Sequence, residues 1–120
     1  MDNKNLITIA EEWFTAFNDH DLDHLLSLYH DNAQHYSPKL KVRMPETKGL
    51  IIGKQALKDW WKDSFDRIPS LRYEVISLMP FEDKVFMEYM RYAMGEEVLR
   101  VGEVLETKNN LILSSRVYHS

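Results

Sequence analysis

The chain has 120 residues, enough to close one hydrophobic core without disulfides or a structural metal. Apolar residues make up 44% and charged residues 28%, which excludes wholesale disorder and favours a single globular domain over residues 1–120. A formal net charge of -4, with fifteen basic residues scattered rather than striped, argues against nucleic acid as a partner, and the absence of cysteine removes thiolate chemistry and Cys-based zinc sites.

The opening MDNKNLITIAEEW carries acids where a secretory signal needs an unbroken apolar core, and no run approaches membrane-spanning length. Together with the missing cysteines this predicts a soluble cytoplasmic protein with no membrane partner. Leu6, Ile9, Ala10, Trp13, Phe14 and Phe17 recur at three- and four-residue steps, which predicts an amphipathic helix capped by Asn3 or Asn5. Asn18-Asp19-His20-Asp21 breaks that pattern, and Asp21 caps a second short helix carrying Leu22, Leu25, Leu26 and Tyr29. Residues 33–37 read as a brief strand leading into an irregular loop that contains Pro45 and Gly49.

After Gly53 a third helix is marked by Leu57, Trp60, Trp61, Ser64, Phe65 and Ile68, with Lys54, Lys58 and Lys62 on its solvated side and Pro69 ending it. From Leu71 onward the texture is β, with strands expected over 71–79, 84–93, 97–107 and 111–119 and short links that imply antiparallel hairpins. Helices first and a meander afterwards is an α+β pattern, and laying the helices in the concave side of a bent sheet buries both apolar faces.

The order of these elements, with the strings Trp13-Phe14-Thr15-Ala16-Phe17-Asn18, Asp21-Leu22-Asp23, Gly53-Lys54-Gln55-Ala56-Leu57, Asn110-Leu111-Ile112 and Arg116-Val117-Tyr118, resembles the nuclear-transport-factor-2-like superfamily and, within it, SnoaL-like domains related to polyketide cyclases and ketosteroid isomerases. The resemblance spans nearly the whole chain. It implies a cone-shaped, curved antiparallel sheet wrapped around the N-terminal helices, a cystatin-like α+β barrel with an internal pocket, and often a homodimer. It does not imply one reaction, because the fold hosts enzymes and binding modules alike.

Carried over residue by residue, the resemblance puts Trp13 where a ketosteroid isomerase has its oxyanion-binding Tyr, Tyr36 or Ser37 where it has its general base, and Trp61 where it has a supporting Tyr. Only a second acid finds a counterpart, Glu103. An indole cannot replace a phenol hydroxyl, and neither Tyr36 nor Ser37 is a base at neutral pH, so steroid isomerisation by that mechanism is disfavoured. The Asp–Arg–Asp cluster of an epoxide hydrolase of this fold cannot be assembled either.

Glu103 is the sharpest polar anomaly, since strand alternation puts it with Leu99, Val101 and Leu105 on an apolar face. Two readings stay open, a pocket acid or base and a rim or interface residue paired with an Arg. His35, facing opposite to Tyr36, is either a second acid–base group or a structural histidine beside the pocket. His119 shares parity with Ser115 and Val117 and is an inward residue or part of a frayed terminus. The alternating pattern cannot orient Glu88, while Arg91 and Arg116 are read as cross-strand partners for acids or anchors for an anionic ligand.

Trp13, Phe17, Trp60 and Trp61 are ordinary core or the walls of a pocket for a planar or alicyclic molecule. The steps between His20, His24, His30 and His35 do not repeat a metal-ligand motif, and no phosphate loop or nucleophile elbow appears, so neither metal nor cofactor is expected. The reading that follows is a SnoaL-like pocket protein for a small apolar or cyclic molecule. As an enzyme it would carry out cofactor-independent isomerisation, cyclisation or dehydration by proton transfer next to a carbonyl, with Glu103 and His35 as catalytic candidates and Trp13, Phe17, Tyr36, Trp61 and His119 as ligand contacts. The alternative is a non-catalytic binding or dimeric interaction module of the same fold.

Overall fold

The computed structural model describes residues 2–119. Helix α1 (Asn3–Asn18) is capped by Asp2 rather than by Asn3 or Asn5, because Asp2 lies in extended backbone just ahead of the helix and its carboxylate accepts the Asn5 N–H at 2.8 Å. Its apolar stripe buries Leu6, Ala10, Trp13, Phe14 and Phe17. Asp21 caps α2 (Leu22–Ser27) through the His24 N–H. That helix stops short of Tyr29, which instead opens strand β1 (Tyr29–Tyr36) and turns fully into the core.

The stretch expected as loop contains a short helix α3 (Pro38–Arg43), a single 3-10 turn (Pro45–Thr47) and strand β2 (Leu50–Ile52). Ser37 caps α3 with its hydroxyl on the Lys39 N–H, and Pro38 sits at the first helical position, where its fixed φ is already suited. Helix α4 (Lys54–Arg67) buries Leu57, Trp61, Ser64 and Phe65. The chain ends in a meander of β3 (Arg72–Phe81), β4 (Lys84–Tyr92), β5 (Leu99–Lys108) and β6 (Leu111–Tyr118).

The six strands form one curved sheet in the order β2-β1-β6-β5-β4-β3, which does not close on itself. All pairs are antiparallel except β1 with β6, where the crossover from the N-terminal half brings the two strands side by side in the same direction. One free edge, β3, is held to the end of α1 by Asn18, whose side chain donates to the Tyr73 carbonyl and accepts the Tyr73 N–H, both at 2.8 Å. Helices α1 and α4 lie in the concave face, so the expected α+β layering of helices inside a bent sheet is what the chain adopts. Among the described residues no helix is long and apolar enough to cross a membrane.

Candidate functional site

Between the helices and the inner face of the sheet lies a cavity of about 520 Å³. Trp13 and Phe17 of α1, Trp60 and Trp61 of α4, and Tyr73, Tyr89, Val101 and Val117 of the sheet form its apolar wall. The aromatics are coupled: Tyr73 stacks on Phe17 and on Tyr89 with ring centroids 4.0 and 4.3 Å apart, and Trp13 stacks on Phe17 at 5.3 Å. Planar rings locked in this way give a site for a flat apolar body little freedom to collapse.

Glu103 stands in this wall, 1% exposed. Its inward direction follows from alternation along β5, where Val101, Glu103 and Leu105 are all buried. The Tyr89 hydroxyl donates to Oε1 at 2.6 Å, and Oε2 has no hydrogen-bond partner among the described residues. Burial pushes the carboxyl up to about 7, against the Tyr89 bond that favours the charged form. Glu103 is therefore neither a rim residue nor paired with an Arg.

His35 is also buried, on β1 with β6 between it and Glu103 and two residues along in register, so the two backbone positions are about 12 Å apart in the sheet. Burial lowers its pKa to about 4, with its contact to Ser115 opposing, so the ring is neutral at neutral pH rather than near half-titration as an exposed imidazole would be. Its Nδ1 lies 2.7 Å from Ser115 Oγ, which accepts the Tyr29 hydroxyl at 2.9 Å, and Tyr29 in turn accepts the Trp13 indole N–H at 3.0 Å. An indole nitrogen can only donate, so Trp13 donates to Tyr29 and Tyr29 to Ser115, whose hydroxyl meets His35 Nδ1. With Ser115 donating onward to Nδ1, the proton of the neutral ring lies on Nε2.

The other predicted contacts divide. Trp13, Phe17, Trp61 and His119 line the cavity. Tyr36 does not, because strand alternation sends His35 and Ser37 inward and Tyr36 outward, where its ring packs beside Gly49 and Tyr118. Ser37 is the cavity-lining member of the pair Tyr36 and Ser37. The four N-terminal histidines are dispersed: His20 bonds the Leu71 carbonyl and His30 the Lys108 carbonyl, far from His35 in the sheet.

Strand β4 resolves the open orientation. Val85, Met87, Tyr89 and Arg91 face inward, while Glu88 faces outward with Arg100 at 2.8 Å. Arg116 also lies on the outer side, paired with Glu106 at 3.2 Å. Sequence reasoning missed Tyr73, Tyr89, Ser115 and Tyr29 as parts of the site. Parity with Met87 was the available signal for Tyr89, and it was masked by the equally apolar Phe86 and Met90 on the opposite face.

The mouth of the cavity is charged. Arg91 is buried and Lys39 half-exposed, and both point at Glu96, at 2.9 and 4.0 Å respectively. Arg43 and Arg67, which also line the cavity, share Asp63 at 3.0 and 2.8 Å.

Fold and site together define a small α+β protein with an aromatic-walled cavity and one buried carboxyl on the concave side of an open sheet. Residues 10–114 match the model of the SnoaL-like domain, and the chain belongs to that family. A SnoaL-like protein of unknown function from Burkholderia thailandensis is 26% identical, with 99% of this chain and 97% of that one covered and a TM-score of 0.89. A candidate polyketide cyclase from Sinorhizobium meliloti is 15% identical over 98% of this chain and 100% of its own, with a TM-score of 0.81. A candidate ketosteroid isomerase from Kribbella flavida is 14% identical over 98% and 78%, with a TM-score of 0.79. At these identities the last two show a shared fold. No curated protein matches the sequence.

Proposed function

We propose that this SnoaL-like protein is a cofactor-independent enzyme that moves a proton next to a carbonyl of an apolar cyclic molecule, giving isomerisation, cyclisation or dehydration. The observation that carries the reading is Glu103, a buried carboxyl with one oxygen anchored by Tyr89, the other without a hydrogen-bond partner among the described residues, and a pKa raised to about 7. A general base is most effective when its pKa lies near the working pH, and here a large share of the carboxyl is ionised at neutrality while its conjugate acid remains able to return the proton. The carboxylate takes the proton from the carbon beside the carbonyl, the C–H electrons move into the enolate, and the carboxylic acid then protonates the enolate at the same or a conjugated carbon. The enolate oxygen is stabilised by a neutral donor, His35 Nε2–H, whose proton position is held by the Trp13–Tyr29–Ser115 chain. The names of the two fold relatives, a candidate cyclase and a candidate isomerase, agree with this class of chemistry.

Deuterium incorporation next to the carbonyl of a panel of cyclic ketones in heavy water, followed by mass spectrometry, tests the reading. Exchange above the buffer rate that is lost in Glu103→Gln supports it. Ligands that bind without any exchange would instead leave a non-catalytic binding module.

The proposed partner in solution is a second copy of the chain, placed on the outer sheet face. Met79, Phe81 and Tyr118 stand exposed there beside the half-buried Phe86 and Val104, an apolar area for a small monomer to leave in water. Sedimentation equilibrium should give a dimer for the native chain and a monomer for Phe81→Glu. A cytoplasmic location belongs to the same reading, supported by the absence of cysteine.

A further inference from the structure

We infer that the molecule held in this cavity carries a carboxylate, which binds at the mouth between Arg91 and Lys39, while its apolar body lies along the tryptophans with its reacting carbon toward Glu103. The inference deepens the reading above and rests on it for the reaction, though not for binding. Arg91 is 5% exposed, yet among the described residues its guanidinium makes one hydrogen bond, to Glu96, and that acid is itself half-exposed and shared with Lys39. Two cations facing one carboxylate leave a local excess of one positive charge. Burial and then repulsion from Arg91 both disfavour the charged form of Lys39, while Glu96 acts the other way. A buried charge with unengaged donors is costly unless something pairs with it, and Arg91 lines the cavity.

The geometry of the guanidinium selects the class of anion. The planar fork of Arg91 fits a carboxylate through two parallel N–H donors, and Lys39 beside it adds a second positive charge. The placement also orients the molecule. Arg91 pairs with Leu99 in the sheet, four residues along β5 from Glu103, so the two positions are about 14 Å apart along the strand. A substrate carboxylate held at Arg91 is kept away from the carboxyl of Glu103, which would repel it. The rest of the protein, with its net charge of -4, offers no general attraction for anions, so the mouth is where such a ligand would be selected.

Isothermal titration of the native protein with naphthalene-2-carboxylate and with naphthalene-2-carboxamide, at neutral pH and low ionic strength, tests the inference, with the cyclohexane pair as a second scaffold. The carboxylate should bind about tenfold more tightly than the amide or better. Arg91→Gln should bring the ratio close to one. Glu96→Gln should raise carboxylate affinity by removing the competing acceptor, and Lys39→Gln should lower it. These last two side chains are half-exposed, so they keep the test decisive if the buried Arg91 variant does not fold. Equal binding of acid and amide, or a preference that survives both Lys39→Gln and Arg91→Gln, overturns the anion site while leaving the cavity reading intact. Binding of neither member of either pair overturns both.

Discussion

Glu103 Oε1 accepts the Tyr89 hydroxyl at 2.6 Å, while Oε2 of the same carboxyl faces no hydrogen-bonding group among the described residues. The two oxygens have therefore been divided between a structural and a free role. One fixes the carboxyl plane against β4, and the other is left to whatever enters the cavity. The same bond restrains the effect of burial, because a donor stabilises the carboxylate against the neutral acid.

Removing that donor has a predictable sign. Tyr89→Phe should raise the Glu103 pKa further above 7 and move the pH midpoint of deuterium exchange upward, read from the exchange rate as a function of pH. The lost bond should lower stability by about 1–2 kcal/mol in urea unfolding. A midpoint that stays in place or moves down would mean that Tyr89 does not set the protonation of Glu103.

Glu103 and His35 should leave opposite marks on stability against pH. Folding raises Glu103 from 4.5 to about 7, so the folded state binds more protons and stability is lost as pH rises across that window. Folding lowers His35 from 6.5 to about 4, so stability is lost as pH falls from 6.5 to 4. Each contributes on the order of 3 kcal/mol over its own window. Their slopes oppose between pH 4.5 and 6.5, so these two groups together add no net slope to the native protein there. Relative to the native protein, His35→Gln should lose stability with rising pH, and Glu103→Gln should gain it. Parallel stability curves for all three proteins, measured by urea unfolding, would show that neither group has the protonation assigned to it.

Glu103 was legible in the sequence because a carboxylate breaks an alternation that is otherwise apolar, and burial of Val101 and Leu105 gives that parity its meaning. His35 was legible as a position but not in its protonation, which depends on the depth of the cavity. Tyr29 was misread because helical spacing from Leu22 and Leu25 runs through it, whereas α2 ends at Ser27 and β1 begins with an irregular register. The same irregularity hides which of Tyr36 and Ser37 faces inward. Of the mouth only Arg91 was legible, as a partner for an acid or an anchor for an anionic ligand: Lys39, Arg91 and Glu96 come from α3, β4 and the following turn, and the topology brings them together.

Ser115 is the link through which Trp13 and Tyr29 reach His35, so Ser115→Ala should cut the chain at its centre. The Tyr29 hydroxyl and His35 Nδ1 would each lose a buried partner, at a cost of about 2 kcal/mol in unfolding. Nitrogen NMR of the labelled imidazole should show the proton on Nε2 in the native protein and a mixture of tautomers in the variant, with exchange catalysis falling although Glu103 is untouched. A native ring protonated on Nδ1 would reverse the direction assigned to the chain.

Tyr36 packs on the outer side of β1 against Gly49, and that contact separates stability from ligand binding. Gly49 sits at φ +88°, and a Cβ built there would lie 2.8 Å from Tyr36 Cε2 and 3.2 Å from the Ser37 carbonyl oxygen. Gly49→Ala thus combines a backbone strain that only glycine avoids with a clash against a ring held by its strand. The variant should unfold several degrees earlier, at a cost of about 1–3 kcal/mol. Gly49→Ala with Tyr36→Leu should recover the steric part and retain the conformational part. Because Tyr36 stands outside the cavity, both variants should bind naphthalene-2-carboxylate as the native protein does at temperatures where all three are folded. A loss of affinity in proportion to the loss of the tyrosine ring would put Tyr36 back into the wall of the site, and with it the sequence-based expectation that the strand geometry contradicts.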